Sequence, residues 1–539
     1  MAGIKRTRFG GIAPIAFETE VDTMMAQVAE DVDLSRNTLR PHREPKKVSD
    51  VTGRVIWRED CCEIVSDNCR ASIAHNFIHC GFVFATGLRD YPVYGKKDEA
   101  CAGDWCRLGL PCDTGEPTAT VLTPQDIEWT TDPRLYAYRL INRYGHGGLL
   151  SPASNEVDAR RGDGVLVAGI PTSGFDEYCI TSVEIYRTDS GLDFGLGDKQ
   201  VNDSGWYKVG EIPFGVATFV DASMDVDVEH TPLEQDFAPP PDGLFDIAYG
   251  RESQLFGLTE HGMWFSEKNN YHAWPDKFLL KVHDGHKKLS VGRGVAYILN
   301  DGCPAVVDLT YDTEAGALHR VIETQYPHPI VSRSSAVVYG NICYFATRRG
   351  LVALSPNGEA SVISQAWYTA DQWENLEPWT MHANVHDGYY YGFFKNHAIR
   401  LRLSDNAFAR PDKADLTTLS MRPVASYRSD DNKLYLAFAD GTYQWGASDG
   451  FMTLKWQSKL DALPSIVRFC AFKLRHRYAD FDVYHSVNGR PLSYHHVKNS
   501  EIWRIPLGRK GLDWEVRIEG KGEVYEYHIA TSVRDVAQS

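Results

Sequence analysis

The chain has 539 residues, of which 43% are hydrophobic and 24% charged, values close to globular averages that exclude a largely disordered or fibrous protein. Its formal charge is −16, which disfavours a protein that grips nucleic acid through its phosphates. The sequence contains neither a stretch of about 20 apolar residues nor a secretory signal, so we expect a soluble protein made in a cytoplasm, with roughly two to four domains.

The first 50 residues predict an N-terminal arm. A helix is expected over 19–34, TEVDTMMAQVAEDVDL. The following run, LSRNTLRPHREPKKVS, is expected to be extended, because Pro41 and Pro45 disfavour helix in the residues before them. Such an arm is typical of assembly with a neighbouring subunit, and a strap on the protein's own domain is an equally open interpretation.

Seven of the eleven cysteines lie in the segment 51–114, which predicts a cysteine-rich β segment. Without a secretory signal, reduced structural thiols are the default expectation. A helix could present His75, His79 and Cys80 on one face, so zinc is an alternative, but the segment has no CxxC pair. We therefore predict no metal and no cofactor.

Residues 115–237 predict a β-sandwich resembling fibronectin type III. Short alternating segments separated by Gly, Pro and Asp support it, namely RLYAYRLINRYG, GDGVLVAGI, SVEIYRTDSG, GWYKVGEIP and ATFVDAS. An acidic run places Asp225, Asp227 and Glu229 on one face of a strand, where a solvated edge is favoured over calcium. The stiff linker APPPDG, at 238–243, marks the end of this domain.

Residues 238–460 predict a β-propeller. Five segments each carry a strand, a tight turn and a second strand, with aromatic residues spaced by 41, 47, 46 and 45 positions. These aromatic residues are Phe256, Tyr297, Tyr344, Tyr390 and Tyr435, and the turn residues with a similar period are Gly262, Gly302, Gly350, His397 and Gly441. Antiparallel repeats of about 40–50 residues are typical of propeller blades, and unrelated hairpins in one large sandwich are the alternative.

A sixth unit begins near Phe481 and contains Asn488 and Gly489, the strongest turn signal in the chain. The pattern leaves open whether 461–539 forms a last blade or a separate C-terminal β region. The sequence has no phosphate loop, nucleophile elbow, dinucleotide fingerprint or zinc-protease motif, and we expect a protein that is not an enzyme.

Several passages spread over nearly the whole chain carry a family resemblance. They include LSRNTLRPHREP, FVFATGLRDYP, RLGLPCDTGEPTATV, SVEIYRTDSG, WFSEKNNYHAWP, SRSSAVVYGNICYFATRRGLVALSP and LKWQSKL. Together they resemble bacteriophage tail proteins, in particular the nozzle or packaged-DNA-stabilization proteins of short-tailed phages. In WFSEKNNYHAWP the matching residues are implied to pack a blade, and they are Ser266, Glu267, Ala273, Trp274 and Pro275.

The resemblance implies a structural virion protein that forms a hexameric tube beneath the portal and adaptor rings and conducts DNA during ejection. Implied partners are further copies of the chain, tail adaptor and portal proteins, tail fibre or tail-tip proteins, and DNA in transit without specific binding. Arg36, Arg40 and Arg43 of the arm are expected to dock on the adaptor ring. Two alternatives stay open: a receptor- or glycan-binding tail propeller, and a glycan hydrolase with paired carboxylates in a propeller funnel.

Overall fold

The computed structural model contains two compact units. It describes residues 3–16, 22, 24–76, 81–112, 114–122, 132–160, 163–188, 205–223, 237–250, 253–282, 285–309, 320–403, 416–506 and 509–538. The described residues within Met1–Cys69, Ser290–Thr310 and Arg320–Ser539 form unit 1, and those within Arg70–Leu289 form unit 2. The boundary between the units therefore falls inside the segments predicted over 51–114 and 238–460.

Unit 1 contains four antiparallel sheets, A to D, each built from four strands. Sheet A comprises His286–Gly292, where the chain passes from unit 2 into unit 1, with Val295–Asn300, Ala305–Asp308 and Arg320–Glu323. Sheet B comprises Val337–Tyr339, Ile342–Thr347, Gly350–Leu354 and Ala360–Val362. Sheet C comprises His382–His386, Tyr389–Phe393, Ala398–Arg402 and Leu416–Thr418. Sheet D comprises Ala425–Arg428, Leu434–Phe438, Gly441–Gln444 and Lys46–Ser49, and a hairpin of Val55–Glu59 and Cys62–Ser66 packs beyond it.

Successive sheets of unit 1 pack face to face, because the second strand of each sheet sends alternate side chains to its two neighbours. Each interface has its own hydrophobic core. Tyr297 of sheet A packs with Phe345 of sheet B, and Tyr344 of sheet B packs with Tyr390 of sheet C. Tyr391 of sheet C lies in one core with Leu436 of sheet D, and Tyr435 of sheet D lies in one core with the hairpin. A four-stranded sheet with two apolar faces is buried only between two others, which is the packing of propeller blades. The all-β, propeller-type prediction is confirmed, and the repeated aromatic residues of this unit are buried.

Tight turns in sheets B and D require glycine. Gly350 and Gly441 begin the third strand of their sheets with φ angles of 158° and 141°. A Cβ on Gly350 would lie 2.4 Å from the side chain of Val362, and one on Gly441 would lie 2.3 Å from the carbonyl oxygen of Ser49. The positions therefore exclude a side chain both by backbone conformation and by space.

The residues after 453 form a separate C-terminal sandwich within unit 1. One sheet comprises Gly3–Arg6, Glu523–Ala530, Ala471–Arg477 and Ile502–Arg504. The facing strands are Leu454–Ser458, Gly511–Gly520, Phe481–Val487 and Arg490–Val497, with Asp461–Val467 paired to Gly511–Gly520. Phe472, Val483 and Tyr527 lie in the core between the two layers. The predicted Asn488-Gly489 turn is present, and the hairpin that it closes belongs to this sandwich rather than to a blade.

The helix predicted over 19–34 is wrong. The described part of that segment forms the strands Ala26–Glu30 and Val32–Asp33, the second of which pairs with Arg40–Pro41. Ala26–Glu30 lies between Leu416–Thr418 of sheet C and Leu454–Ser458 of the C-terminal sandwich. Sheet C and one layer of the sandwich are therefore one continuous hydrogen-bonded sheet. Pairing with strands more than 380 residues away along the chain outweighs the local helix preference.

Unit 2 contains two further four-stranded sheets and the predicted sandwich. The first four-stranded sheet comprises Ser72–Asn76, Phe82–Thr86, Val93–Lys96 and Cys106–Arg107. The second comprises Phe245–Tyr249, Leu255–Thr259, Gly262–Phe265 and Leu279–Leu280. The two sheets pack on each other. The sandwich has one layer of Thr118–Val121, Val165–Ala168 and Thr218–Asp221 and another of Tyr136–Asn142, Ile180–Thr188 and Trp206–Pro213, beside the pair Asp132–Arg134 and Val157–Ala159. All five predicted strand segments of the sandwich are confirmed.

Helices are short in the described residues. The α-helices are Lys97–Cys101, Ala370–Glu374 and Val533–Ala537, and the 3₁₀ turns are Asp176–Tyr178, Asp276–Phe278, Arg333–Ser335, Ile363–Ala366 and Pro378–Thr380. Within the described ranges, none of the helices has the length and apolar character needed to cross a bilayer.

The expectation of reduced cysteines needs correction. Cys106 and Cys179, both in unit 2, form a disulfide that joins the end of a four-stranded sheet to the sandwich. Spacing could not identify this pair, because 73 residues separate the two cysteines. His79 and Cys80 of the suggested zinc site, and Asp225, Asp227 and Glu229 of the acidic run, lie outside the described residues.

Candidate assembly surface on the N-terminal strap

The described residues from 3 to 49, here called the N-terminal strap, are built into unit 1 at several points. The first anchor is a nearly buried ion pair between Arg6 and Asp461, whose side chains are 3% and 13% exposed. The Arg6 guanidinium donates to both carboxylate oxygens, at 2.8 and 2.6 Å, and lies 5.7 Å from the ring centre of Trp456. Charge-assisted bonds to both oxygens hold the start of the strap in one orientation.

A second anchor joins the middle of the strap to sheet C. Arg400 donates to Asp33 at 3.3 Å and to the hydroxyl of Tyr391 at 3.2 Å, and its guanidinium lies 3.4 Å from the ring centre of Tyr389. Burial pushes the pKa of Asp33 up, but the positive charge of Arg400 and neighbouring donors outweigh burial and hold this pKa below its usual range. Burial, helped by Arg400, lowers the pKa of His42 to about 3, so this strap histidine is neutral at physiological pH.

The three arginines predicted for assembly lie on this strap in different environments. Arg40 pairs with Glu523 at 3.6 Å, and Arg43 lies over the ring of Phe451, 5.7 Å from its centre. Arg36 is exposed in the turn that begins at Leu34, and no ion pair among the described residues involves it. The strap therefore holds Arg40 and Arg43 against their own chain and presents Arg36 to solvent.

Beside the strap lies a cleft of about 510 Å³, lined by Asp31, Glu44, Met421, Lys455 and Lys521 among others. Its charged groups are already paired within the protein. Lys521 donates to Glu44 at 3.2 Å, and the backbone N–H of Ser420 donates to Asp31 at 2.9 Å. Burial raises the pKa of Asp31 above its usual value. These pairings make the cleft a junction between strap and sheets, with its carboxylates engaged by protein donors.

The motif residues of WFSEKNNYHAWP lie in unit 2, where the chain leaves the third strand of a sheet. Ser266 is buried, and its hydroxyl accepts from the N–H of Leu255 and donates to the carbonyl oxygen of Glu267, both at 3.0 Å. Trp274 is fully buried, and its indole N–H donates to the carbonyl oxygen of Tyr271 at 2.9 Å. Pro275 directly precedes the 3₁₀ turn Asp276–Phe278. These residues stabilise the segment that connects the third strand of the sheet, Gly262–Phe265, to the fourth, Leu279–Leu280.

Sequence reasoning missed the anchors Arg6, Asp33 and Arg400. An arginine is ordinarily solvated, and the burial of Arg6 depends on Asp461, 455 residues further along. The one available signal is that Arg400 lies on a strand whose neighbours are apolar, in AIRLRL. A charge in such a strand requires a partner.

Comparisons with known proteins add no family assignment. No protein-family model matches the chain, and no curated protein matches it. A similar solved structure, the AfRom2 CNH domain, is 10% identical and has a TM-score of 0.27, with 74% of this chain and 98% of that chain covered. Virginiamycin B lyase from Staphylococcus aureus is 10% identical with a TM-score of 0.26, covering 51% of this chain and 94% of that chain. The Pan2 WD40 domain of Neurospora crassa is 10% identical with a TM-score of 0.27, covering 46% and 74%. Likenesses at this level say nothing of activity or partners.

Proposed function

We propose that the chain is a structural protein of a short-tailed phage, one copy in an oligomeric nozzle that retains packaged DNA and conducts it during ejection. The sequence resemblance suggests this role. The structural observation that carries it is the strap strand Ala26–Glu30, which joins sheet C and the C-terminal sandwich into one sheet. A wall subunit has to resist separation of its domains, and a continuous ladder of backbone hydrogen bonds across two domains supplies that resistance.

The charge of the chain supports passage of DNA without binding. Six copies, each with a formal charge of −16, would carry −96. Acidic groups facing a duplex repel its phosphates, so DNA moves past such a wall without the counterion release that drives nucleic-acid binding. In this proposal the protein makes and breaks no covalent bond, and its partners are other copies, the adaptor ring above and the fibre or tip proteins below.

The exposed guanidinium of Arg36 is the proposed contact with the adaptor ring. Arg40 and Arg43 are less suitable, since charge reversal there would also disturb contacts of the strap with its own chain. Arg349 is a matched control, because it is an exposed arginine of the same unit in the turn that precedes Gly350. A comparison of Arg36→Glu with Arg349→Glu therefore separates a specific contact from a general change of charge.

The test is a mass measurement on the purified full chain, alone and mixed with a purified tail adaptor protein. We expect an assembly in the mixture. Six copies of 60.6 kDa contribute about 364 kDa to its mass, and the adaptor adds to this value. Arg36→Glu should weaken adaptor binding several-fold while Arg349→Glu leaves it unchanged. A strict monomer in both samples would refute the nozzle, and normal binding by Arg36→Glu would refute the docking role of the strap.

A further inference from the structure

The outer face of the C-terminal sandwich carries a row of polar and aromatic side chains. Strand pairing places Gln457 opposite Arg517, Arg517 opposite Tyr484, and Tyr484 opposite Tyr494. The residues that flank Gln457, Arg517 and Tyr484 in their strands are buried, whereas these three side chains and that of Tyr494 are partly or largely exposed. We call Gln457, Arg517, Tyr484 and Tyr494 the tyrosine row. It crosses four neighbouring strands in a straight line.

The two rings of the tyrosine row are held in place although they face solvent. Their centres lie 5.2 Å apart with planes tilted by 35°, and Tyr494 is 57% exposed. The hydroxyl of Tyr494 donates to Asp482 at 2.9 Å. The guanidinium of Arg517 lies 5.1 Å from the ring centre of Tyr484 and donates to Glu519 at 2.7 Å. Rings restrained in this way lose little conformational freedom when they bind a ligand.

A cavity of about 430 Å³ adjoins these rings, with Ser486, Ser493 and Glu515 in its lining. One carboxylate oxygen of Glu515 accepts from the side-chain amide of Gln27 at 2.7 Å, which orients the group. The cavity thus combines the flat faces of two tyrosines with hydroxyl, amide and carboxylate groups. Its volume lies within the roughly 300–1,000 Å³ of small-molecule pockets.

This combination matches one ligand class. A pyranose ring has an apolar C–H face that stacks on an aromatic ring and a rim of hydroxyls that pair with oriented carboxylates and amides. The charges favour an uncharged sugar, because Arg517 is already paired with Glu519 while Glu515, which lines the cavity, would repel an anion. We propose that the tyrosine row binds a hexopyranose residue of a neutral glycan. The inference is independent of the nozzle proposal, since it concerns one face of one chain.

The experiment is saturation-transfer NMR and calorimetry on the purified full chain. The probes are the methyl glycosides of glucose, galactose and N-acetylglucosamine, with glucuronic acid as the charged counterpart. We expect at least one neutral glycoside to bind with a dissociation constant on the order of 1 mM and glucuronic acid to bind more weakly. The absence of binding by all three neutral probes up to about 50 mM would overturn the proposal, as would equal binding of glucuronic acid.

Variants locate the site. Tyr494→Ala, at an exposed position that does not support the core, should weaken binding about tenfold, and Tyr494→Phe, which keeps the ring, should weaken it less. Tyr478→Ala is the matched control, because Tyr478 is an 83% exposed tyrosine of the same sandwich that does not line the cavity. Binding that survives Tyr494→Ala unchanged, or that Tyr478→Ala reduces equally, would refute a site at the tyrosine row.

Discussion

Replacing Arg6 by alanine should destabilise unit 1, because it leaves the carboxylate of Asp461 buried without its guanidinium partner. Exposed ion pairs contribute about 0–1 kcal/mol, whereas breaking a buried one costs about 3–5 kcal/mol. Exposures of 3% and 13%, with bonds to both carboxylate oxygens, place this pair in the second class. For a unit of this size, we expect the melting temperature to fall by roughly 5–8 °C.

The loss should also depend on pH. Burial raises the pKa of Asp461 even with Arg6 present, and Arg6 opposes that rise. Without Arg6 the carboxyl therefore takes up a proton at higher pH than in the wild type. A carboxyl whose pKa is raised by folding costs stability as pH rises from the unfolded pKa to the folded one, and this loss ends at a lower pH in the wild type. The difference between Arg6→Ala and wild type should therefore be smallest near pH 4 and grow as the pH rises above the folded pKa of the wild-type carboxyl.

Urea unfolding followed by tryptophan fluorescence measures this loss, and Trp456 beneath the Arg6 guanidinium is a local reporter. The control is the double variant Arg6→Met with Asp461→Leu, which removes both charges and keeps the space filled. It should recover most of the lost stability, since apolar replacement of a buried pair is often neutral or better. A loss below about 1 kcal/mol for Arg6→Ala would refute the reasoning, as would a double variant as unstable as the single one.

Three further predictions concern other parts of the chain. Burial lowers the pKa of His146 to about 4 and of His272 to about 3. Below about pH 6.5 these histidines take up protons only when unit 2 unfolds, so acid should destabilise the unit by up to ~1.4 kcal/mol per pH unit for each histidine. Urea unfolding between pH 7 and 5 measures this loss, and His272→Phe should reduce the dependence of the unfolding free energy on pH. Gly441→Ala should lower the melting temperature by several degrees, because its Cβ meets a backbone carbonyl of the strap. Reducing the Cys106–Cys179 disulfide should cost unit 2 about 4 kcal/mol, checked by thermal unfolding with and without dithiothreitol; an unchanged transition would contradict it.

The repeat was predictable because blade packing leaves a local record in the sequence. Each second strand must be apolar on both faces. In sheet B, Tyr344 lies in the core shared with sheet C, and its neighbours Cys343 and Phe345 lie in the core shared with sheet A. The third strand of sheet B begins against the side chain of Val362 and that of sheet D against the backbone of Ser49, which requires Gly350 and Gly441. These constraints act within about 15 residues, so the period of the repeat reports the sheets directly.

The C-terminal hairpin shows why spacing alone is not sufficient. Tyr484 follows Tyr435 by 49 residues, close to the period of the repeat, yet its ring lies on the outer face of the C-terminal sandwich. The distinguishing signal is the alternation in FDVYHSV, where Phe481, Val483 and His485 are buried and Tyr484 is not. A strand with one buried face is typical of a sandwich, whereas a strand buried on both faces is typical of a blade.

The strap and its anchors could not be predicted, since their partners are remote. The apolar residues of 19–34 suit a helix as well as a strand, and only the strands at 416–418 and 454–458 decide the outcome. The same holds for Arg6, whose environment is created by residue 461. The candidate site was therefore only partly visible: the sequence identified the arginines of the strap, and the tyrosine row depends on the register of four strands.

The strap also determines when unit 1 can be completed. The fourth strand of sheet D, Lys46–Ser49, precedes the other three by nearly 380 residues, so this sheet keeps an open edge at Gly441–Gln444 until the strap docks. Pairings this remote form late and slowly, because loop closure is unfavourable until other contacts hold the ends together. An open strand edge is also a site for pairing with another chain. The ion pairs Arg6–Asp461 and Asp33–Arg400 counter this hazard, because they hold the strap on either side of Ala26–Glu30. They therefore favour closure by the chain's own strand over closure by that of a neighbour.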